Sequence, residues 1–104
     1  MKRTATGEHE FELPFDYTQY ATQFFITYSQ NNSVVLELSE KDLGTSVSIE
    51  GAIMYVHLSQ EDTKKFVAGE AWAEIKLYTK DKKSIISDKI PIYIQDVLNE
   101  KVFA

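Results

Sequence analysis

The sequence contains no cysteine. Disulfide bonds, thiolate nucleophiles and cysteine-ligated zinc sites are therefore excluded. Basic residues are also scarce, because 11 Lys and Arg stand against 16 Asp and Glu and leave a formal net charge of −5. A nucleic-acid-binding protein needs a basic face to neutralise phosphates, so we expect no nucleic-acid partner. The basic cluster Lys80, Lys82 and Lys83 is interrupted by Asp81, which is typical of a solvated hairpin tip.

Long apolar runs are absent too. No stretch approaches the roughly 20 residues of a transmembrane helix, and the N-terminus lacks the apolar region of a signal peptide. We therefore expect no membrane partner. The composition, with 43% hydrophobic and 26% charged residues, is that of an ordinary globular protein. Residues 1–7 are polar and are predicted to form an N-terminal arm, and residues 8–104 are predicted to form one domain of common size.

Motifs that carry catalysis are missing as well. The four glycines are too scattered for a phosphate-binding loop, and no Gly-x-Ser-x-Gly sequence presents a nucleophilic serine. Glu61 and Asp62 are adjacent carboxylates, but neighbouring side chains in a polar turn diverge. His9 and His57 lie far apart without nearby ligand spacing, so packed or half-exposed rings are the better interpretation. We expect no catalytic residue, metal or cofactor, and hence no enzyme.

Period-two alternation of apolar and polar residues recurs along the chain, with turn residues between the segments. The segment 30–33 predicts a hairpin turn, because Asn31 and Asn32 tolerate a positive φ. The segment 52–58 is apolar on both faces and is predicted to lie centrally in its sheet. Pro91 lacks an N–H group for a sheet ladder, which indicates a sheet edge or a bulge. About seven or eight strands with almost no helix predict an all-β, antiparallel, immunoglobulin-like β-sandwich.

The segment 58–75 is predicted to connect the two sheets of this sandwich. Ser59, followed three residues later by Asp62, has the spacing of a capping box and predicts a short helical turn near residues 59–66. Phe66 is expected to fold onto the core. Gly69 suits a position of unusual φ, after which the alternating strand that includes Ala71, Ala73 and Ile75 begins.

This connector resembles one found in small immunoglobulin-like sandwich domains of bacteriophage virions. An opening strand at 24–30 and a closing segment at 87–92 fit the same plan, and the resemblance spans Phe11 to Leu98. It is similar to short structural proteins, and to N-terminal domains of upper baseplate proteins, of phages that infect Gram-positive bacteria. Those domains often have Asp-Gly in the late hairpin, where this chain has Asp81 and Lys82.

The resemblance implies a virion structural protein that is made in the host bacterial cytoplasm and acts by protein–protein packing. Tail or baseplate, head decoration and head-fibre anchoring are all open. The implied partners are other virion proteins, with the chain present as a homo-oligomer or in many copies.

Aromatic residues make up 12% of the chain. They either complete a small core or form an exposed surface that contacts a protein or stacks on sugar rings. The predicted interface residues are Trp72, Tyr78, Tyr93, Val102 and Phe103. The alternative function is a carbohydrate-binding or adhesion module that uses surface aromatics.

Overall fold

The computed structural model describes residues 1–103, which form two antiparallel sheets packed as a sandwich. Ala104, the last residue of the predicted domain, lies outside this range. Two short helices, α1 (Tyr17–Tyr20) and α2 (Gln60–Lys64), lie between strands. The strands are β1 (Gly7–Glu12), β2 (Ala21–Gln30), β3 (Ser33–Ser39), β4 (Val47–Glu50), β5 (Ile53–Leu58), β6 (Gly69–Thr79), β7 (Ser84–Ile86) and β8 (Ile90–Ile94).

The small sheet has the order β1-β5-β4, and the large sheet has the order β3-β2-β6 with β7 and β8 both paired to β6. The central place of β5 confirms the prediction made from its apolar faces. The prediction that Pro91 lies at a sheet edge is also confirmed. Its strand, β8, is at the edge of the large sheet, and Pro91 is opposite Trp72 of β6.

Alternation along each strand directs one set of side chains between the sheets. In β6, Ala71, Ala73 and Ile75 are buried, whereas the residues between them point outward. The same alternation holds in β2 and β5. The largest fully buried side chains come from both sheets and from the connector: Tyr28, Phe24, Phe66, Ile26, Met54 and Leu58. The predicted all-β, immunoglobulin-like sandwich is confirmed.

The connector between the sheets folds as its sequence predicts. The Asp62 N–H donates to Ser59 Oγ at 3.1 Å, and the Ser59 N–H donates to Asp62 Oδ2 at 3.3 Å. This reciprocal capping box begins α2. Phe66 is fully buried, and Gly69 has a φ of +124°, a conformation that residues with a Cβ rarely adopt.

The large sheet has a split edge beside β6. β7 pairs with the C-terminal half of β6, and β8 pairs with its N-terminal half. Ser87 lies between them and bridges the gap, because its N–H donates to the Ile75 carbonyl and its Oγ accepts from the Ile75 N–H, both at 2.9 Å. The backbone polar groups of Ile75 are thus paired where neither strand reaches.

The N-terminal segment lies on its own domain. Lys2 bridges to Gln95 just after β8, and the Arg3 guanidinium donates to the Phe66 carbonyl at 2.6 Å. The Thr63 hydroxyl donates to the Ala5 carbonyl at 2.6 Å. The residues predicted as an N-terminal arm are therefore bonded to β8 and to the α2 connector. Strand β1 begins directly after them, at Gly7.

Candidate functional site

The large sheet presents an outer face rich in exposed aromatic and aliphatic side chains. Antiparallel partners point to the same side of a sheet, so the register with β6 identifies the members of this face. Trp72 pairs with Ser29 and Pro91, and Lys76 pairs with Phe25 and Ile86. We call this surface the aromatic face. Its large apolar members are Phe25, Val34, Trp72, Tyr78, Ile86 and Tyr93.

These rings are held on rigid backbone but are only partly covered. Trp72 is 36% exposed, Phe25 and Tyr78 are each 39% exposed, and Tyr93 is 63% exposed. Their neighbours in the strands point into the core, which fixes the position of each ring. Rigid aromatics that are partly open to solvent lose little entropy when a partner covers them.

Most charges of the aromatic face lie along its central strand, and Glu37 of β3 adds another. The outward side chains of β6 read, in order, Glu70, Trp72, Glu74, Lys76 and Tyr78. Acidic residues therefore occupy the N-terminal half of the strand, and the basic residue lies in the C-terminal half. Each half also carries one large aromatic ring.

The structure brings together three of the five residues predicted as an interface. Trp72, Tyr78 and Tyr93 share the aromatic face. Phe103 is exposed beside α2, where its N–H donates to Gln60 Oε1 at 3.0 Å, and Val102, next to it, is half-buried.

Sequence reasoning missed Phe25, Val34 and Ile86 as members of this face. The signal for Phe25 was present, because alternation with the buried Phe24 places Phe25 outward. Val34 and Ile86 follow only from strand pairing. The two-residue turn sets Val34 opposite Ser29, and the bulge between Ser29 and Tyr28 then puts Leu36 on the other face. The pairing of β7 with β6 sets Ile86 opposite Lys76.

A depression of about 590 Å³ lies at one end of the aromatic face, beside Trp72. Its lining is mostly polar, since amide, hydroxyl and charged side chains surround the indole ring. The residues that line it are Ser29, Asn31, Asn32, Ser33, Val34, Glu70, Trp72 and Lys89. Asn31 and Asn32 belong to the β2–β3 turn, whose positive φ values, 53° and 62°, hold the two amides at this rim.

The outer face of the small sheet has a different character. It carries Glu8, Glu10 and Glu12 of β1 and Glu50 of β4, and we call it the acidic face. No lysine or arginine occurs in β1, β4 or β5. His57 of β5 contacts Glu8, with 3.3 Å between Nδ1 and Oε1.

Within residues 1–103, no group of three or more His, Asp or Glu side chains is arranged to hold a metal ion. None of the helices in that range is long and apolar enough to cross a membrane.

His9 and Tyr28 form a hydrogen bond between the two sheets. His9 Nδ1 lies 2.8 Å from the Tyr28 hydroxyl. Burial raises the pKa of Tyr28 well above its usual value. Burial lowers the pKa of His9, and the N-terminal ammonium lowers it further. Both groups are therefore neutral near pH 7, and this pair fits a structural contact between the sheets.

No protein-family model matches the chain, and no curated protein sequence matches it. The structure is similar to the V domain of amphioxus IgVJ-C2, with 13% identity over 93% of this chain and 97% of that domain, at a TM-score of 0.40.

Proposed function

We propose that this chain is a non-enzymatic structural protein of a bacteriophage virion, which works by packing against other proteins through its aromatic face. The proposal rests on one observation. Several large apolar side chains, with Trp72 and Tyr93 among them, lie exposed together on one rigid sheet.

Leaving such a face in water is unfavourable, because its apolar surface stays hydrated. Contiguous exposed apolar patches are uncommon on soluble monomers and mark interaction sites. Tryptophan and tyrosine are enriched among the residues that dominate binding energy, because their rings bury much area and their polar tips keep hydrogen bonds. Trp72 and Tyr78 each combine a large ring with a polar tip, and they lie in opposite halves of one strand.

The virion setting is supported by the sequence resemblance of residues 11–98. The features that carry it are the capped turn at Ser59, the phenylalanine at 66 and the glycine at 69 that opens the long strand. In that setting the chain is made in the bacterial cytoplasm and joins the particle in multiple copies. Tail or baseplate, head decoration and head-fibre anchoring are the places compatible with such a packing module.

Incorporation into particles tests this proposal. Tagged wild-type chain and a Trp72→Ala/Tyr93→Ala variant would each be expressed during infection by the phage that encodes it, and purified virions would be probed for the tag. We expect the wild-type chain in virions and a large loss for the variant. Tyr20→Ala is the matched control, because Tyr20 is 53% exposed on α1, outside the aromatic face. Absence of the wild-type chain from virions, or equal incorporation of the double variant, would refute the proposal.

A second candidate function, carbohydrate binding, is favoured by the depression beside Trp72. An indole ring next to Asn31, Asn32 and Glu70 offers a stacking surface and hydrogen-bonding groups for a sugar ring. Titration calorimetry against a panel of bacterial cell-wall glycans separates this candidate from the first. Saturable binding that is lost in Trp72→Ala and kept in Tyr78→Ala would favour it.

A further inference from the structure

We propose that the aromatic face binds a second copy of this chain, with the two β6 strands antiparallel across the interface. This inference rests on the proposed function of that face as a protein-contact surface, and it names the partner. The resulting dimer is a pair of sandwiches joined through their large sheets, with both acidic faces turned outward.

The order of outward side chains along β6 carries the inference. The buried Ile75 marks the midpoint between two outward side chains of opposite charge, Glu74 and Lys76. Trp72 and Tyr78 stand three residues from Ile75 in opposite directions. The sign of charge thus reverses about Ile75, whereas an aromatic ring is present on both sides.

A two-fold axis makes this pattern self-complementary. The axis would lie midway between the two packed faces, at the level of Ile75 and perpendicular to the strands. Rotation about this axis makes the partner's strands run in the opposite direction. Glu74 would then face the partner's Lys76, and Trp72 would face the partner's Tyr78. Each contact occurs twice, as in any isologous interface.

Other placements of the axis are less favourable. An axis parallel to the strands and directly over β6 would set Glu74 on the partner's Glu74 and Lys76 on the partner's Lys76. A parallel axis between β6 and β2 would set Glu74 on the partner's Thr27 and leave both charges without an opposite charge. An axis across the strands at Glu74 or at Lys76 would set that charge on its own copy. Like charges opposed in an interface disfavour association, so the charge order favours the antiparallel arrangement at Ile75.

The neighbouring strand is compatible with the same axis. Phe25 pairs with Lys76 and Thr27 pairs with Glu74, so these two β2 residues also lie on either side of the Ile75 level. The axis would bring Phe25 onto the partner's Thr27. This contact packs an aromatic ring on a methyl-bearing side chain and brings no further charge into the interface.

The size of the face suits a stable dimer. Strand β6 has 11 residues and its neighbours have fewer, so the four strand positions across the sheet span at most about 36 Å by about 19 Å, an upper limit of roughly 700 Å². A standard interface buries roughly 800 Å² from each partner. The acidic face cannot form an equivalent contact with itself, because its glutamates would oppose one another.

Charge exchange on the full-length chain tests this arrangement. Sedimentation velocity should show a dimer for the wild-type chain. Lys76→Glu places a carboxylate against the partner's Glu74, and Glu74→Lys places an ammonium against the partner's Lys76. We expect each variant alone to weaken the dimer by about tenfold or more. The two variants mixed together should form a heterodimer, and the doubly exchanged chain Glu74→Lys/Lys76→Glu should dimerise again.

Glu10→Lys, on the acidic face, is the matched control for a change of surface charge and should dimerise like the wild type. Circular dichroism melts would show that all variants fold. A wild-type chain that remains monomeric overturns the inference. Variants that fail to complement one another, or a dimer that is lost in Glu10→Lys and kept in Lys76→Glu, would overturn it too. If the chain is monomeric but virion incorporation still depends on Trp72 and Tyr93, the proposed function stands and only the choice of partner falls.

Discussion

At the scale of single residues, His9 couples the contact between the sheets to protonation. Its ring contacts the rings of Phe11 and Tyr28, with centroid distances of 6.0 Å and 5.6 Å. β1 belongs to the small sheet and β2 to the large sheet, so the His9–Tyr28 hydrogen bond joins the two layers. Charging the imidazole would place an ion in this poorly hydrated space.

Unfolding at two pH values tests this coupling. Because burial holds the pKa of folded His9 below its usual value of 6.5, the unfolded chain takes up this proton first as the pH falls. The stability contribution is complete above about pH 6.5 and is lost as the pH falls through the lower pKa of the folded protein. We expect the urea-derived free energy of unfolding to fall more between pH 7.5 and about pH 5 for the wild type than for His9→Gln.

The same pH change also titrates carboxylates, so the comparison needs a second histidine variant. His57 is exposed on the acidic face. His57→Gln keeps the His9–Tyr28 hydrogen bond, so it should lose more stability on acidification than His9→Gln does. Equal losses in the wild type and in His9→Gln would contradict the role assigned to His9.

At the scale of elements, the β2–β3 hairpin shows how turn residues set strand register. The two residues between the strands, Asn31 and Asn32, both have a positive φ, as a type I′ turn requires. That turn matches the right-handed twist of the strands. It therefore favours the pairing that brings Ser29 and Val34 together next to Trp72.

Two substitutions at Asn32 test the turn. Asn32→Gly keeps the positive φ without a side-chain penalty and should leave the stability unchanged or slightly higher. Asn32→Ala forces a Cβ-bearing residue with no local hydrogen bond into the same conformation and should destabilise the fold by about 1 kcal/mol. Denaturant unfolding of both variants measures the difference. Equal stabilities for the glycine and alanine variants would contradict the turn assignment.

Elements with strong local signals could be predicted from the sequence. Alternation gave β6, the asparagine pair gave the β2–β3 turn, and the Ser59–Asp62 spacing gave α2. The helix α1 has four residues, too few to show a helical period, although Asp16 accepts from the Gln19 N–H at 3.3 Å as its cap. The position of the N-terminal segment on the domain could not be predicted either, because it depends on bonds between residues distant in the chain, such as Arg3 to Phe66.

The candidate site was predictable to a similar degree. Trp72 and Tyr78 alternate with buried residues of one strand, so local pattern alone places them on a common face. Tyr93 joins them only through the pairing of β8 with β6, and Ile86 only through the pairing of β7 with β6. Strand pairing joins residues far apart in sequence, and period-two patterns do not specify which strands are neighbours.

At the scale of the whole molecule, the sandwich has two unlike outer faces. The aromatic face mixes charges of both signs with large rings. The ionisable side chains of the acidic face are its carboxylates, His57 and Tyr55. β1 is an edge strand of the small sheet, and its row of glutamates opposes pairing with a second β1. Charge thus disfavours association through the small sheet and leaves the aromatic face for contact.

Repulsion within the acidic face should lower the stability of the isolated chain. Alternate residues of a strand lie about 7 Å apart, so Glu10 is within a Debye length of both Glu8 and Glu12 at about 0.1 M salt. We expect Glu10→Gln/Glu12→Gln to raise the free energy of unfolding by about 0.5 kcal/mol at low ionic strength. Added NaCl should stabilise the wild type more than this variant, because salt already screens the repulsion that the substitutions remove. Glu37→Gln, on β3 of the large sheet, is the control and should keep the wild-type salt response. A double variant that is as salt-sensitive as the wild type would mean that the carboxylates of β1 do not repel one another appreciably, and the charge argument against pairing through that edge would fail with it.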